Sequence, residues 1–146
     1  SPISAMLNSG VPPSLRVGAG HDLLLVGNMH GNAGQFYDAT TIVDVVEGRL
    51  KLVDVVMTLS DQGCAGSRTQ SVRYEAAGDG GAARAPFRVS VTDATDGPVE
   101  PCEDAEPFEP AREVYTVTYA WDEAAGQYLS EGSGWAALDE VNSERY

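Results

Sequence analysis

At 146 residues and 15.4 kDa the chain is long enough for one domain and short of two, and it reads as a single domain over residues 1–146. Twenty-two acidic residues against 9 basic ones give a net charge of −13, so phosphate backbones and anionic membrane surfaces repel it and a nucleic-acid partner is excluded. No apolar run approaches the ~18 residues of a membrane span, and with neither a basic nor an apolar leader after Ser1, a signal segment is expected to be absent from this sequence.

Ile3, Met6 and Leu7 have the i, i+3, i+4 spacing of a short helix over residues 1–10, stopped by Gly10 and by Pro12-Pro13. Leu23 to Val26 is a short apolar run suited to a buried strand, and the glycine-rich stretch Gly27 to Gly34 predicts a loop. Thr40 to Val46 and Leu50 to Leu59 are β-rich runs joined through Glu47-Gly48-Arg49, which predicts a hairpin with Gly48 at positive φ. A further strand is expected at Ser71 to Ala76, and residues 77–85 offer nothing to bury and predict a mobile loop.

From Pro86 to Thr92 the pattern alternates, with Phe87, Val89 and Val91 inward. Asp93 to Arg112 carries 4 prolines and 7 acids against one base and predicts an acidic loop over 93–112, because proline cannot donate to a ladder and the charges resist burial. Val114 to Trp121 is the strongest strand, with Tyr115, Val117, Tyr119 and Trp121 on one face; it turns through Gly126 into Gln127 to Leu129. Ser133 can cap a C-terminal helix within 133–145 that buries Trp135, Leu138 and Val141. Together these elements predict a mainly β (α+β) fold: one antiparallel sheet or sandwich-like domain of about 6–8 strands with short N- and C-terminal helices.

The two cysteines, Cys64 and Cys102, stand in polar loop sequence without the CxxC spacing of a zinc site. A Cys64–Cys102 disulfide is expected, with two free thiols as the alternative; closing a loop of ~39 residues contributes about 4 kcal/mol. Such a bridge implies an oxidising compartment, periplasmic or secreted. Eight arginines against the single Lys51, with 16 glycines, suggest a GC-rich bacterial genome.

Gly27-Asn28-Met-His30-Gly-Asn32 resembles the GDxHGN signature of calcineurin-like metallophosphoesterases, in which Asp and His at i, i+2 are metal ligands. Asn28 stands where that Asp would be, so the carboxylate charge needed to hold a divalent metal is missing, and no later paired-histidine segment follows. The Trp121-Asp122…Gly126-Gln-Tyr128 pairing with the terminal Trp135-Ala-Ala-Leu138 resembles the ends of some exported bacterial domains. His21, beside Asp22, predicts a strand-start hydrogen bond. Asp93-Ala-Thr-Asp96-Gly97 has some character of a calcium loop without its ordering of ligands. No P-loop or nucleophile elbow occurs, so neither a catalytic set, a metal site nor a cofactor is expected.

The row Tyr115, Tyr119, Trp121 with Tyr128 across the hairpin is a candidate stacking platform, and also the pattern of a core row; His30 is the remaining binding candidate. Residues 1–88 hold 8 acids and 7 bases, whereas residues 89–146 hold 14 acids and 2 bases, which points to a solvated acidic surface or to a basic protein partner. The sequence therefore predicts an exported bacterial, non-catalytic binding or structural module. The alternatives are a small envelope hydrolase using His30 and carboxylates of 93–104, and an acidic inhibitor of a cationic enzyme.

Overall fold

The computed structural model describes residues 13–18, 21–32, 34–77 and 84–145, and the helix predicted over 1–10 lies outside them. Eight strands follow one another: β1 (Ser14–Gly18), β2 (His21–Asn32), β3 (Gln35–Val46), β4 (Arg49–Gly63), β5 (Gly66–Ala76), β6 (Phe87–Asp96), β7 (Ala111–Asp122) and β8 (Gln127–Ser130). Helix α1 (Ala136–Arg145) closes the chain. Each strand pairs antiparallel with its sequence neighbours, so the sheet order is the chain order, with short turns at most connections and longer ones before β6 and β7. Among the described residues no helix is long and apolar enough to cross a membrane.

The predicted β3–β4 hairpin is present, turning through Glu47 (φ 52°) and Gly48 (φ 74°); positive φ at both central residues is the two-residue turn whose twist matches the strands. Two elements depart from the sequence reading. The glycine-rich stretch is strand, not loop: β2 continues to Asn32 because Gln35–Thr40 offers it an unbroken ladder. The acidic loop shrinks to residues 97–110, since β6 keeps Asp93–Asp96 and β7 starts at Ala111; Asp93 is buried with bonded partners. Of the loop expected over 77–85, residues 78–83 lie outside the described residues, and 77, 84 and 85 are in neither strand nor helix. Ala85 is buried and its N–H donates to the Val17 carbonyl, while Ala77 N–H donates to the Pro86 carbonyl (2.8 Å).

The sheet is held together unevenly. β4 and β5 share only three residue pairs, Asp61↔Arg68, Gln62↔Ser67 and Gly63↔Gly66, and then part. Gly66 (φ 141°) stands at this corner with the Asp96 carbonyl so close that no Cβ would fit, and the Phe108 ring 3.1 Å from where one would be. Beyond the corner the first four strands and the last four contribute to one core, with β1 reaching β5 and β4 reaching β8. Leu23, Leu25, Ile42 and Val56 come from the first half; Phe87, Val89, Val91, Val117, Tyr119 and Tyr128 come from the second. Helix α1 adds Leu138, and Trp135 just before it is also buried.

Candidate functional site

The interior holds three polar knots, each built from residues distant in sequence. Asp44 is buried on β3 and takes His21 Nε2 at 2.7 Å on one oxygen and the Arg84 guanidinium on the other. Arg84 also lies 4.0 Å from the centroid of the Trp121 ring. His21 thus does make the strand-start hydrogen bond expected of it, but with Asp44 across the sheet, not with Asp22, which pairs with Arg16. In the second knot Trp135 Nε1 donates to the Tyr119 hydroxyl (2.9 Å), which donates to Asp54 Oδ2 (2.6 Å). Burial, and then the hydrogen bond to the Asp54 carboxylate, push the Tyr119 hydroxyl far above its ordinary value. The third knot docks α1: Gln70 Nε2 donates to Asn142 Oδ1 (2.7 Å) and Asp93 Oδ1 (3.2 Å), and Arg145 donates to the same Asp93 oxygen (2.8 Å).

The aromatic candidates are mostly part of this interior. Tyr119 and Tyr128 are buried, Tyr119 stacking on Phe87 (centroids 4.7 Å apart) and Tyr128 meeting Trp121 edge-on at 5.5 Å. Tyr128 donates to the Ala85 carbonyl (2.9 Å), and burial followed by the charge of Asp44 pushes its hydroxyl up to about 12. Tyr115 and Trp121 are half-buried against the same core. Tyr119 and Tyr128 are therefore packing residues, while Tyr115 and Trp121 keep part of their surface open. His30 is exposed on β2 with its ring stacked on Tyr37 at 5.0 Å. It is not joined to the 93–104 carboxylates, of which Asp93 is bound inside to Gln70 and Arg145. Among the described residues no group of three or more His, Cys, Asp or Glu side chains is placed to hold a metal ion.

Cys64 and Cys102 are bridged, with Cα atoms 5.4 Å apart. The bridge ties the acidic loop 97–110 to the β4–β5 corner, and two further contacts fasten its far end. Phe108 N–H donates to the Ala65 carbonyl (2.9 Å), and the Arg68 guanidinium lies 4.1 Å from the Phe108 ring centroid. Glu100, Glu103, Asp104, Glu106 and Glu109 stay exposed on this fastened loop.

The feature that sequence reading missed is on the outside. Register places Leu24, Val43 and Leu52 in one row across β2–β4, then Val26, Thr41 and Val55, then Asn28, Ala39 and Met57, with Val45 beside Leu50 at the end. These positions face away from the core, and apart from half-buried Val43 the large ones are open to solvent: Leu50 is 72 % exposed, Leu52 64 % and Val26 53 %. A β-bulge makes this possible. Leu50 and Leu52 have even numbers, Val55 and Met57 odd ones; the bulge opposite Ile42/Val43 shifts the phase so that all four face out. The outer face of the other half is mostly polar, carrying Ser71, Arg73 and Glu75 on β5, Arg88, Ser90 and Thr92 on β6, and Thr116 and Thr118 on β7, with exposed Val114 beside Thr92. The signal in the sequence was the near-continuous apolar character of 50–59, where neither parity is polar as it is in Phe87–Thr92.

No family model, curated protein or solved structure matches this chain.

Proposed function

We propose that the chain is a non-catalytic binding module, exported by a bacterium into an oxidising compartment, whose working surface is the outer face of β2–β4. One observation carries this reading: the face is apolar across three adjacent strands, while the equivalent face of β5–β7 is built of Ser, Thr, Arg and Glu with Val114 at one end. An antiparallel sheet with one layer in the core normally gives its other layer polar side chains. Where it does not, the exposed layer marks an interaction surface. The Cys64–Cys102 bridge supports the oxidising compartment, where such bonds persist.

The test is insertion of charge. Leu52→Lys with Val55→Lys changes two exposed side chains and should leave far-UV dichroism unaltered and the thermal midpoint within about 4 °C. The monomeric wild-type protein should enhance the fluorescence of bis-ANS, and the double variant should not. A wild-type monomer that leaves the dye dark ends this reading.

A second surface supports the inhibitor reading. The acidic loop is fastened at Cys102 and at Phe108 yet presents its carboxylates outward, a pre-ordered arrangement suited to a cationic enzyme. Binding to a basic hydrolase of the lysozyme type should then weaken steeply with added salt, and salt-insensitive or absent binding counts against it.

A further inference from the structure

The outer face of β2–β4 also carries information about what covers it. Leu24, Val26, Leu50, Leu52, Val55 and Met57 are all exposed on it, a contiguous apolar surface of the kind that marks an interaction site. It is almost without charge. Among the described residues the charged side chains at its margins are Asp22, paired with Arg16 at one end, Asp61 at the other, and Asp139 of α1, which lines a hollow with Val55 and Met57. The middle of the face offers a charged partner nothing to pair with. What fits that middle is a surface equally apolar.

We infer that the occupant is a second copy of this chain, its own β2–β4 face packed against the first about 10 Å away, sheet on sheet. This rests on the reading of that face as a binding surface. The distribution of charge favours the arrangement. Residues 1–65, which supply β1–β4, hold 6 acids and 3 bases, while residues 66–146, which supply β5–β8 and α1, hold 16 and 6. Pairing through the less acidic set of strands keeps most of the acid out of the interface, and the repulsion that remains is screened by salt. Pairing through β5–β8 would bring the acids together. The patch is also self-complementary in the sense a two-fold axis demands, since the rows Leu24–Val43–Leu52 and Val26–Thr41–Val55 are aliphatic throughout, Thr41 excepted.

Sedimentation equilibrium of the whole chain decides it. The wild type should run as a dimer, at twice 15.4 kDa, in the low-micromolar range. Leu52→Lys with Met57→Lys should return it to a monomer with unaltered far-UV dichroism and raise the dimer dissociation constant by at least ~100-fold. Ser71→Lys with Thr116→Lys, the matching insertion on the polar outer face, should leave the dimer intact. Dimer formation should also quench bis-ANS binding as concentration rises. A wild type that stays monomeric at about 100 μM overturns the inference. If that monomer binds bis-ANS, the face serves a different apolar partner and only the second copy is lost. If it leaves the dye dark, as it would were another part of the chain to cover the face, the binding-surface reading falls as well. A dimer that survives Leu52→Lys with Met57→Lys, or is broken by the control pair, places the interface elsewhere and overturns the inference too.

Discussion

Tyr119 shows how much of this interior depends on single hydroxyl groups. Its ring packs on Phe87 while its oxygen accepts from Trp135 and donates to Asp54, tying β7, β4 and the start of the helical segment at one point. Tyr119→Phe keeps the ring and removes both bonds, leaving a carboxylate and an indole N–H without their partner. The expected loss is about 2 kcal/mol, read as a lower urea midpoint with unchanged m-value. The same residue has a signature in pH. Tyr119 and Tyr128 both hold their protons above the ordinary tyrosine value of 10.0 when folded, Tyr128 to about 12. The folded state therefore keeps protons that the unfolded chain gives up. Their contribution is complete below pH ~10 and is lost as pH rises through 10 to 12 and beyond. Urea unfolding between pH 8 and 12 should show a falling alkaline limb that is shallower in Tyr119→Phe; a limb unchanged in the variant would assign the loss to other groups. Sequence showed that Tyr119 belongs to a one-faced aromatic row. It could not show Asp54 as its partner, because a contact 65 residues away is decided by how the sheet doubles over.

Among the elements, those with one buried and one wet face were legible and those with two similar faces were not. Phe87–Thr92 and Val114–Trp121 alternate, and both became strands with the predicted residues inward. The β3–β4 hairpin was readable from Gly48. β2 past Val26 was lost because glycine composition says nothing about a partner strand, and β4 hid its bulge because 50–59 is apolar in either phase. The last helix shows the same limit at finer grain. A face of Trp135, Leu138 and Val141 was expected, but helix α1 turns Leu138 and Asn142 inward and leaves Val141 half-exposed. Asn142 is inside because Gln70 gives it a hydrogen-bonded place there, which outweighs the apolar alternative next to it. These two readings differ in measurable energy. Leu138→Ala should lower stability by about 3 kcal/mol and Asn142→Ala by about 1–3 kcal/mol, whereas Val141→Ala should cost less than ~1 kcal/mol. Equal losses at Val141 and Leu138 in urea titrations would mean that the helix sits rotated from this position.

At the scale of the molecule the two halves differ in composition as well as in position. Residues 1–88 are nearly neutral and put apolar side chains on both layers of β3 and β4; residues 89–146 carry the excess of acid and alternate cleanly. The hydrogen-bonded ladder between β1–β4 and β5–β8 is only the three pairs of the β4–β5 corner, so the association of these two sets of strands depends on the shared core and on whatever keeps the corner closed. The Cys64–Cys102 bridge sits there, across a sequence separation of 38, and holds the acidic loop against the corner alongside Phe108. Cross-linking a loop of that length restricts the unfolded chain by about 4 kcal/mol. Because the bridged segment contains β5 and β6, which belong to the core, that restriction acts on global unfolding and not on the loop alone. Cys64→Ser with Cys102→Ser should therefore lower the unfolding free energy by about 4 kcal/mol in a single cooperative transition, followed by far-UV dichroism in urea. The competing possibility is that Phe108 and Arg68 hold the loop by themselves and that the unfolded chain keeps its ends close without the bridge. In that case the double variant would match the wild-type midpoint. Salt separates the contributions further: if repulsion among the acids of 89–146 opposes closure, the bridge-free variant should regain part of its lost stability as ionic strength rises, and by more than the wild type does.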